Sequence, residues 1–370
     1  MEQWKEYKLE ELSKDKGTYG IAASAVPYDP NKFTYLRITD INDDGTLNHE
    51  GLMSVDEPNA SDYLLCKNDL VFARTGNSTG RTYFYQGTEC PLVYAGFLIK
   101  FSIDEDKVNP RILKYYTHSQ PYYDWVKSFD TGGTRGNINA KTYGNMPVRL
   151  PSSRKVQDRI VEILSSFDSK IELNRRINDN LEQQAQTLFK AWFVDNAVIG
   201  DTSVSDYFIP LRGKNLLTSD AKGGEVPVVA GGLTPSAYHN VANTKAPVIT
   251  ISASGANAGY VNLWGVPVWS ADSSYIDGSV TPHIYFWYNL LKFNQKNIFD
   301  SQTGSAQPHV YPKHIGDIHI PDLDLDKVAD YNKIVTPIYE QISNTQKLNI
   351  QLTVTRDTLL PKLMSGEIKI

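Results

Sequence analysis

"KIELNRRINDNLEQQAQTLFKAWF", residues 170–193, decides the architecture. It holds no proline or glycine, and its apolar residues recur at helical spacing, so it predicts one uninterrupted helix. Extended upstream, positions 160, 164, 167, 171, 174, 178, 181, 185, 188 and 192 alternate steps of four and three, the heptad seam of a coiled coil. Ser152 or Ser153 can cap its start, and Asp195 and Asn196 begin a polar exit. Two seam positions are amides, Asn174 and Asn178. A polar seam residue costs stability but rejects slipped pairings, so both predict a specific partner helix. The plain alternative has both amides facing solvent while Ile177 carries the seam.

The partner lies in the same chain. Ile334, Ile338, Ile342, Thr345, Leu352, Leu359 and Leu363 repeat the pattern near the C-terminus, with Pro337 expected in the first turns and Pro361 expected to kink or stop the helix. At an offset of 171, Phe167, Ile171, Leu181, Leu188 and Phe189 match Ile338, Ile342, Leu352, Leu359 and Leu360. Two such helices separated by a globular insertion most simply pack antiparallel.

The duplication extends beyond the helices. "TGGTRGNINAKTYGNMPVRLP" from Thr131 and "TGSAQPHVYPKHIGDIHIP" from Thr303 share Thr-Gly, Ile138 with Val310, Lys141 with Lys313, and Gly144 with Gly316, at an offset of 172. Upstream, "RTGNSTGRTYF" at Arg74 is echoed by "SASGANAGYV" at Ser252. Three matches in one order mark a repeated unit of globular part plus long helix. The resulting division is 1–150 globular, 151–196 helix, 197–321 globular and 322–370 helix. Strands are expected at "TYFYQ", "VPVVA" and "PVITIS". A helix is expected in "NPRILKYYTHSQPYYDWVKSF", with Ile112, Tyr115, Tyr116 and Tyr123 on one face. The fold class is therefore α/β, of the mixed α+β kind: two globular domains, two long antiparallel coiled-coil helices, and a pseudo-two-fold internal repeat.

Composition bounds the function. A chain of 370 residues exceeds one ordinary core, and 41% hydrophobic with 21% charged residues is a folding composition. No apolar run approaches the roughly 18 residues of a membrane span, and the opening "MEQWKEYKLEEL" is no signal peptide. Cys66 and Cys90 stand in no metal-type spacing, so a reducing cytoplasm is the expected compartment. The net charge of −5 argues against binding nucleic acid by bulk charge alone.

The central "ILSSFDSKIELNRRINDNLEQQAQTLFKAWF" and the terminal "RDTLLPKLMSGEIKI" resemble, in order and separation, the helix motifs of the specificity subunit of type I restriction–modification systems. "WKEYKLEELSKDKGTYG" and "FIPLRGKNLLTSDAKGGEVPVVAGG" resemble the openings of that family's two target recognition domains. The resemblance implies a non-catalytic scaffold that reads double-stranded DNA at a bipartite target with a fixed gap, its helices serving as spacer. It further implies docking of two adenine methyltransferase subunits and, in the nuclease form, of helicase-nuclease restriction subunits. S-adenosylmethionine, ATP and magnesium would then belong to those partners, with no cofactor in this chain. "AWF" at Ala191 and "KLM" at Lys362 differ, so the two docking surfaces are expected to be similar but not identical. The alternatives are a recognition subunit of a type II-like modification enzyme, or a coiled-coil adaptor that never touches DNA.

Motifs for chemistry are missing. No glycine-rich cofactor loop with an Asn/Asp-Pro-Pro-aromatic tetrapeptide occurs ("YDPN" at Tyr28 lacks the second proline), and GxxxxGK[ST] is absent. "IDEDK" at Ile103 and "DLDLDK" at Asp322 read as acidic turns before helices, and His309, His314 and His319 recur every five residues, which suits no single face for a metal.

DNA contact is expected from glycine-rich loops that let backbone approach phosphate closely. In the first repeat they offer Arg74, Asn77, Ser78 and Arg81, then Arg135, Asn137, Asn139 and Lys141; in the second, Asn257, Gln302, Gln307, His309 and Lys313. Arginine pairs bidentately with guanine, and asparagine or glutamine with adenine. Residues 1–150 hold 17 Lys+Arg against 20 Asp+Glu, and 201–320 hold 7 against 8, so neither part should bind DNA tightly alone. Leu188, Phe189 and Trp192, with Leu359, Leu360 and Leu363, exceed what a two-helix seam needs and are candidates for partner docking; the alternative is packing within the chain.

Overall fold

The computed structural model describes residues 3–49, 51–87, 90–129, 136–195, 200–304 and 307–370. In chain order the first half forms β1 (Trp4–Lys8), β2 (Thr18–Tyr19), β3 (Phe33–Leu36), β4 (Met53–Val55), β5 (Asp69–Ala73), β6 (Thr82–Tyr85), β7 (Leu92–Tyr94), β8 (Leu98–Ser102), α1 (Pro110–Tyr116), α2 (Gln120–Lys127), α3 (Ala140–Gly144), β9 (Pro147–Pro151) and α4 (Arg154–Phe193). The second half forms β10 (Thr202–Ser203), β11 (Leu211–Arg212), β12 (Val226–Val229), β13 (Ala237–His239), β14 (Val248–Ser252), β15 (Val261–Trp264), β16 (Trp269–Ser270), β17 (Ser273–Ile276), α5 (Ile284–Phe293), α6 (Gln295–Asp300), α7 (Pro312–Gly316), β18 (His319–Ile320) and α8 (Leu325–Ser365).

These elements form two compact units, Met1–Ser169 with Leu352–Ile370, and Lys170–Gln351. The boundaries fall inside α4 and α8, so each unit owns a stretch of both long helices. Strand order is the same in both. The first unit has sheets β2-β8-β5-β6 and β4-β3-β7 with the pair β1-β9; the second has β11-β17-β14-β15 and β13-β12-β16 with β10-β18. Even the parallel pairings correspond, β3 with β7 and β12 with β16, while the other strand pairs are antiparallel. The central strands β5 and β14 are buried at every position, which is why "DLVFA" and "VITIS" are mostly apolar and do not alternate with exposed charges.

Each unit closes its core on its share of the helices. In the first, Phe72, Phe101, Tyr122 and Tyr143 pack in one cluster with Ile160, Val161 and Leu164 of α4 and Leu360 and Leu363 of α8. In the second, Ile249, Ile251, Phe286 and Trp287 cluster with Ala185, Phe189 and Phe193 of α4 and Val328, Tyr331, Val335 and Tyr339 of α8. Within each unit the helices run antiparallel. Arg356 Nη1 donates to Asp168 Oδ1 at 2.8 Å in the first; in the second, Asn174 faces Asn349, and Tyr331 Oη donates to the Ala185 carbonyl at 2.9 Å.

Several sequence expectations need correction. The helix expected from residue 109 breaks at 117–119, because Ser119 starts a second helix with Pro121 in its first turn; Tyr122 is buried there, whereas Tyr123 is exposed. Neither proline ends α8. The helix starts at Leu325, so Pro337 lies well inside it, and Pro361 precedes its end at Ser365. Both prolines are exposed, and the carbonyls they leave without donors belong to the exposed Lys333 and Asp357, where water can serve. Ile334 is 47% exposed, and Val335 is buried in its place. Near the end of α4 the buried stripe runs 185, 189, 193 rather than 185, 188, 192. A straight α-helix drifts against a strict heptad, and here it packs on a globular core as well as on one helix. Asn174 is buried while Ile177 is 37% exposed, so the amide carries the seam. No helix among the described residues is long and apolar enough to cross a membrane.

Candidate nucleic-acid interface

The two glycine-rich loops are one structure built twice. Residues 74–81 join β5 to β6, and residues 253–260 join β14 to β15. Gly76 and Gly80 take φ of 75° and 87°, and their counterparts Gly255 and Gly259 take 83° and 89°, a region where other residues are strained. Backbone bonds correspond one for one. Gly80 N donates to Ala73 O at 3.0 Å and Gly259 N to Ser252 O at 2.8 Å; Arg81 N donates to Ser78 O at 2.9 Å and Tyr260 N to Asn257 O at 3.0 Å.

A second segment docks on each loop. Ile138 N donates to Arg74 O at 2.9 Å, and Val310 N to Ala253 O at 3.0 Å. Isolated bridges pair Thr75 with Asn137 and Ser254 with His309. The turn before β8 or β17 completes the site: Arg74 N donates to Phe97 O at 3.1 Å, and Ala253 N to Asp272 O at 3.1 Å. Segments far apart in sequence are thereby brought to one surface of each unit.

What anchors the loops differs between units. In the first, Tyr122 Oη donates to Gly80 O at 2.7 Å and Tyr143 Oη to Ala73 O at 3.0 Å. Burial pushes both phenols far above their ordinary range, so they remain donors. In the second, Gln295 Nε2 donates to Gly259 O at 2.8 Å and Gln302 Nε2 to Ala258 O at 2.7 Å.

The candidate residues separate accordingly. Asn77, Asn137 and Lys141 are exposed in the first unit, as are Gln307 and Lys313 in the second; Arg74, Asn257 and His309 are half-buried. Four others are spent on scaffold. Ser78 is buried, Arg81 is ion-paired with Asp43 at 2.6 Å and also donates to Ile41 O, Asn139 caps α3 by accepting from Thr142 N at 2.9 Å, and Gln302 holds its loop as above. Arg81, Asn139 and Gln302 thus each hold a contact within the chain, and Ser78 offers little surface. Arg135 lies outside the described residues. Among the docking candidates, Phe189, Leu360 and Leu363 are buried in the unit cores and offer no surface, while Leu188, Trp192 and Leu359 are half-buried.

Residues 1–183 match the family model described as the type I restriction modification DNA specificity domain. These residues belong to that family. The chain is 24% identical to the Type I restriction enzyme MjaIX specificity subunit of Methanocaldococcus jannaschii, over 72% of this chain and 71% of that one. It is 25% identical to a putative type I specificity subunit of Mycoplasma genitalium, over 64% and 67%. A crystal structure of a type I restriction–modification S subunit from M. genitalium shares the fold, with a TM-score of 0.54 and 19% identity over 98% of this chain and 96% of that one.

The equivalent positions of the two units carry different chemistry. Tyr19 on β2 corresponds in strand register to Arg212 on β11. Arg74 corresponds to Ala253, Phe97 to Asp272, and Asn137 to His309. In the first unit the Arg74 guanidinium lies over the Tyr19 ring, 5.1 Å from its centre, beside the exposed Phe97. In the second, Arg212 is ion-paired with Asp272 at 2.6 Å, Asp272 also accepts from Ser254 Oγ, and His309 stacks on the exposed Tyr311 at 5.8 Å. Sequence reasoning missed Tyr19, Phe97, Arg212, Asp272 and Tyr311. No motif marks them, and the strand register and loop bonds place them at the loops.

Proposed function

We infer that this chain is a non-catalytic DNA-reading subunit whose two units each recognise a short string of bases, giving a bipartite target with a fixed gap. One observation supports this most: a loop scaffold whose backbone bonds recur in both units but which carries unlike side chains at matching positions. Two different half-sites call for that combination, since backbone sets position while side chains read base edges. The units carry too little positive charge for tight binding alone. Much of the phosphate contact is therefore assigned to docked adenine methyltransferase subunits, with ATP-dependent restriction subunits joining in the nuclease form. S-adenosylmethionine, ATP and magnesium belong on this reading to the partners. The test is duplex selection from randomised DNA by the chain, alone and with its methyltransferase subunit. The complex should enrich two fixed strings at constant separation. The chain alone should bind weakly, with strong salt dependence and no methyl transfer. Enrichment of a single uninterrupted string, or methylation by the purified chain alone, would overturn the reading.

A further inference from the structure

Among the arginines of the loop surfaces, Arg74 stands apart. Arg81 is paired with Asp43 and Arg212 with Asp272. Among the described residues Arg74 makes no ion pair, no hydrogen bond uses its guanidinium, and its buried Nε finds no partner. Leaving such donors unspent is costly unless something else takes them up. Its guanidinium carbon lies over the Tyr19 ring, 5.1 Å from the centre, and that ring is itself held, because Tyr19 Oη accepts from Ala140 N at 3.1 Å. The backbone on both sides is tied, Arg74 N to Phe97 O and Arg74 O to Ile138 N. Phe97, whose carbonyl takes the Arg74 N–H, is 59% exposed. A preoriented guanidinium with a free fork, on an aromatic ring and next to an apolar side chain, suits a flat target with two adjacent acceptors.

We propose that Arg74, stacked on Tyr19, reads a guanine through N7 and O6 in the major groove of the first unit's half-site, with Phe97 against the apolar edge of a neighbouring base. The assignment rests on the DNA-reading function inferred above. A phosphate would need only charge, and the arrangement spends an aromatic ring on fixing the plane instead. The second unit has no counterpart. Ala253 occupies the equivalent place and Arg212 is neutralised, so a contact of this kind belongs to one half-site alone.

The experiment is selection of randomised double-stranded DNA by the full chain in complex with its methyltransferase subunit, comparing wild type with Arg74→Gln, Arg74→Lys, Tyr19→Phe and Tyr19→Leu. Wild type should fix a guanine at one position of one half-site. Arg74→Gln should lose about tenfold to a hundredfold of the preference there and leave the other half-site unchanged. Arg74→Lys should recover it only in part, because a point charge cannot fork. Tyr19→Phe keeps the ring but loses the hydroxyl that Ala140 N holds, so it should weaken the same position less than Tyr19→Leu, which removes the ring. Retention of the other fixed positions of the same half-site shows that the first unit of each variant is folded. If Arg74→Gln weakens all sequences alike and flattens the salt dependence, Arg74 holds a phosphate and the proposal fails while DNA reading stands. If Arg74→Gln leaves selection unchanged, the assignment also fails. If the wild-type complex selects no sequence at all, the inferred function fails with it.

Discussion

Asn174 Nδ2 donates to Asn349 Oδ1 at 2.7 Å, and Asn349 Nδ2 reaches back to the Ile171 carbonyl at 3.3 Å. Asn174 is only 2% exposed, so this amide pair sits inside the helix seam of the second unit. Four residues on, the Asn178 Oδ1 is buried and finds no partner among the described residues. The two amides therefore predict opposite signs. Asn174→Leu strands the Asn349 amide and should destabilise the protein by about 1–3 kcal/mol, with Asn174→Leu/Asn349→Leu recovering much of that. Asn178→Leu relieves an unsatisfied acceptor and should be neutral or stabilising by about 1 kcal/mol. Urea unfolding of the four proteins checks both; a large loss in Asn178→Leu would contradict the assignment.

Acid should unlock the first unit through Asp168. Burial pushes this carboxyl up, but Lys114 at 2.6 Å and Arg356 at 2.8 Å outweigh it and hold it below its ordinary range. A carboxyl depressed in the folded state stabilises above its unfolded value of about 3.9, and that stability drains as pH falls through the folded value. The wild type should lose stability more steeply below about pH 4 than Asp168→Asn does. Urea midpoints taken from pH 7 to pH 3 decide it, and parallel curves would refute the ion network's role.

Docking and core packing can be told apart at the ends of the helices. Trp192 and Leu188 line adjoining open clefts of the second unit, the first shared with Asp324, Asp326, Lys327 and Asp330. Trp192→Ala and Leu188→Ala should weaken capture of the methyltransferase subunit with modest cost to unfolding. Leu363→Ala empties a buried site and should cost about 2–5 kcal/mol before any effect on assembly. Unchanged capture by Trp192→Ala, measured by pull-down, would remove this surface from the docking account.

What the sequence disclosed and what it withheld follow from one distinction. Repetition is visible in residue types, so the match of Thr131 to Thr303 and the spacing through Asn174 foretold paired units and a pinned helix pair. Whether a polar side chain is free depends on neighbours distant in sequence. Arg81 looked available until Asp43 was beside it, and Gln302 until it met the Ala258 carbonyl. Apolar surface residues leave no signal in the other direction: nothing in the sequence singled out Tyr19 and Phe97, which are 41% and 59% exposed. Phe189 and Leu363 looked like surplus on a helix because the globular cores that bury them were not in the helix pattern.

The most direct test of two independent readers is a domain exchange with methylation as the readout. Residues 1–150 would be replaced by the matching part of another type I specificity subunit, and methylated adenines mapped across the genome of a host supplying the methyltransferase subunit. The account predicts a bipartite motif in which one half changes, the other half stays, and deletion of the gene abolishes both. A chimera that folds and assembles yet alters both half-sites, or neither, would contradict it.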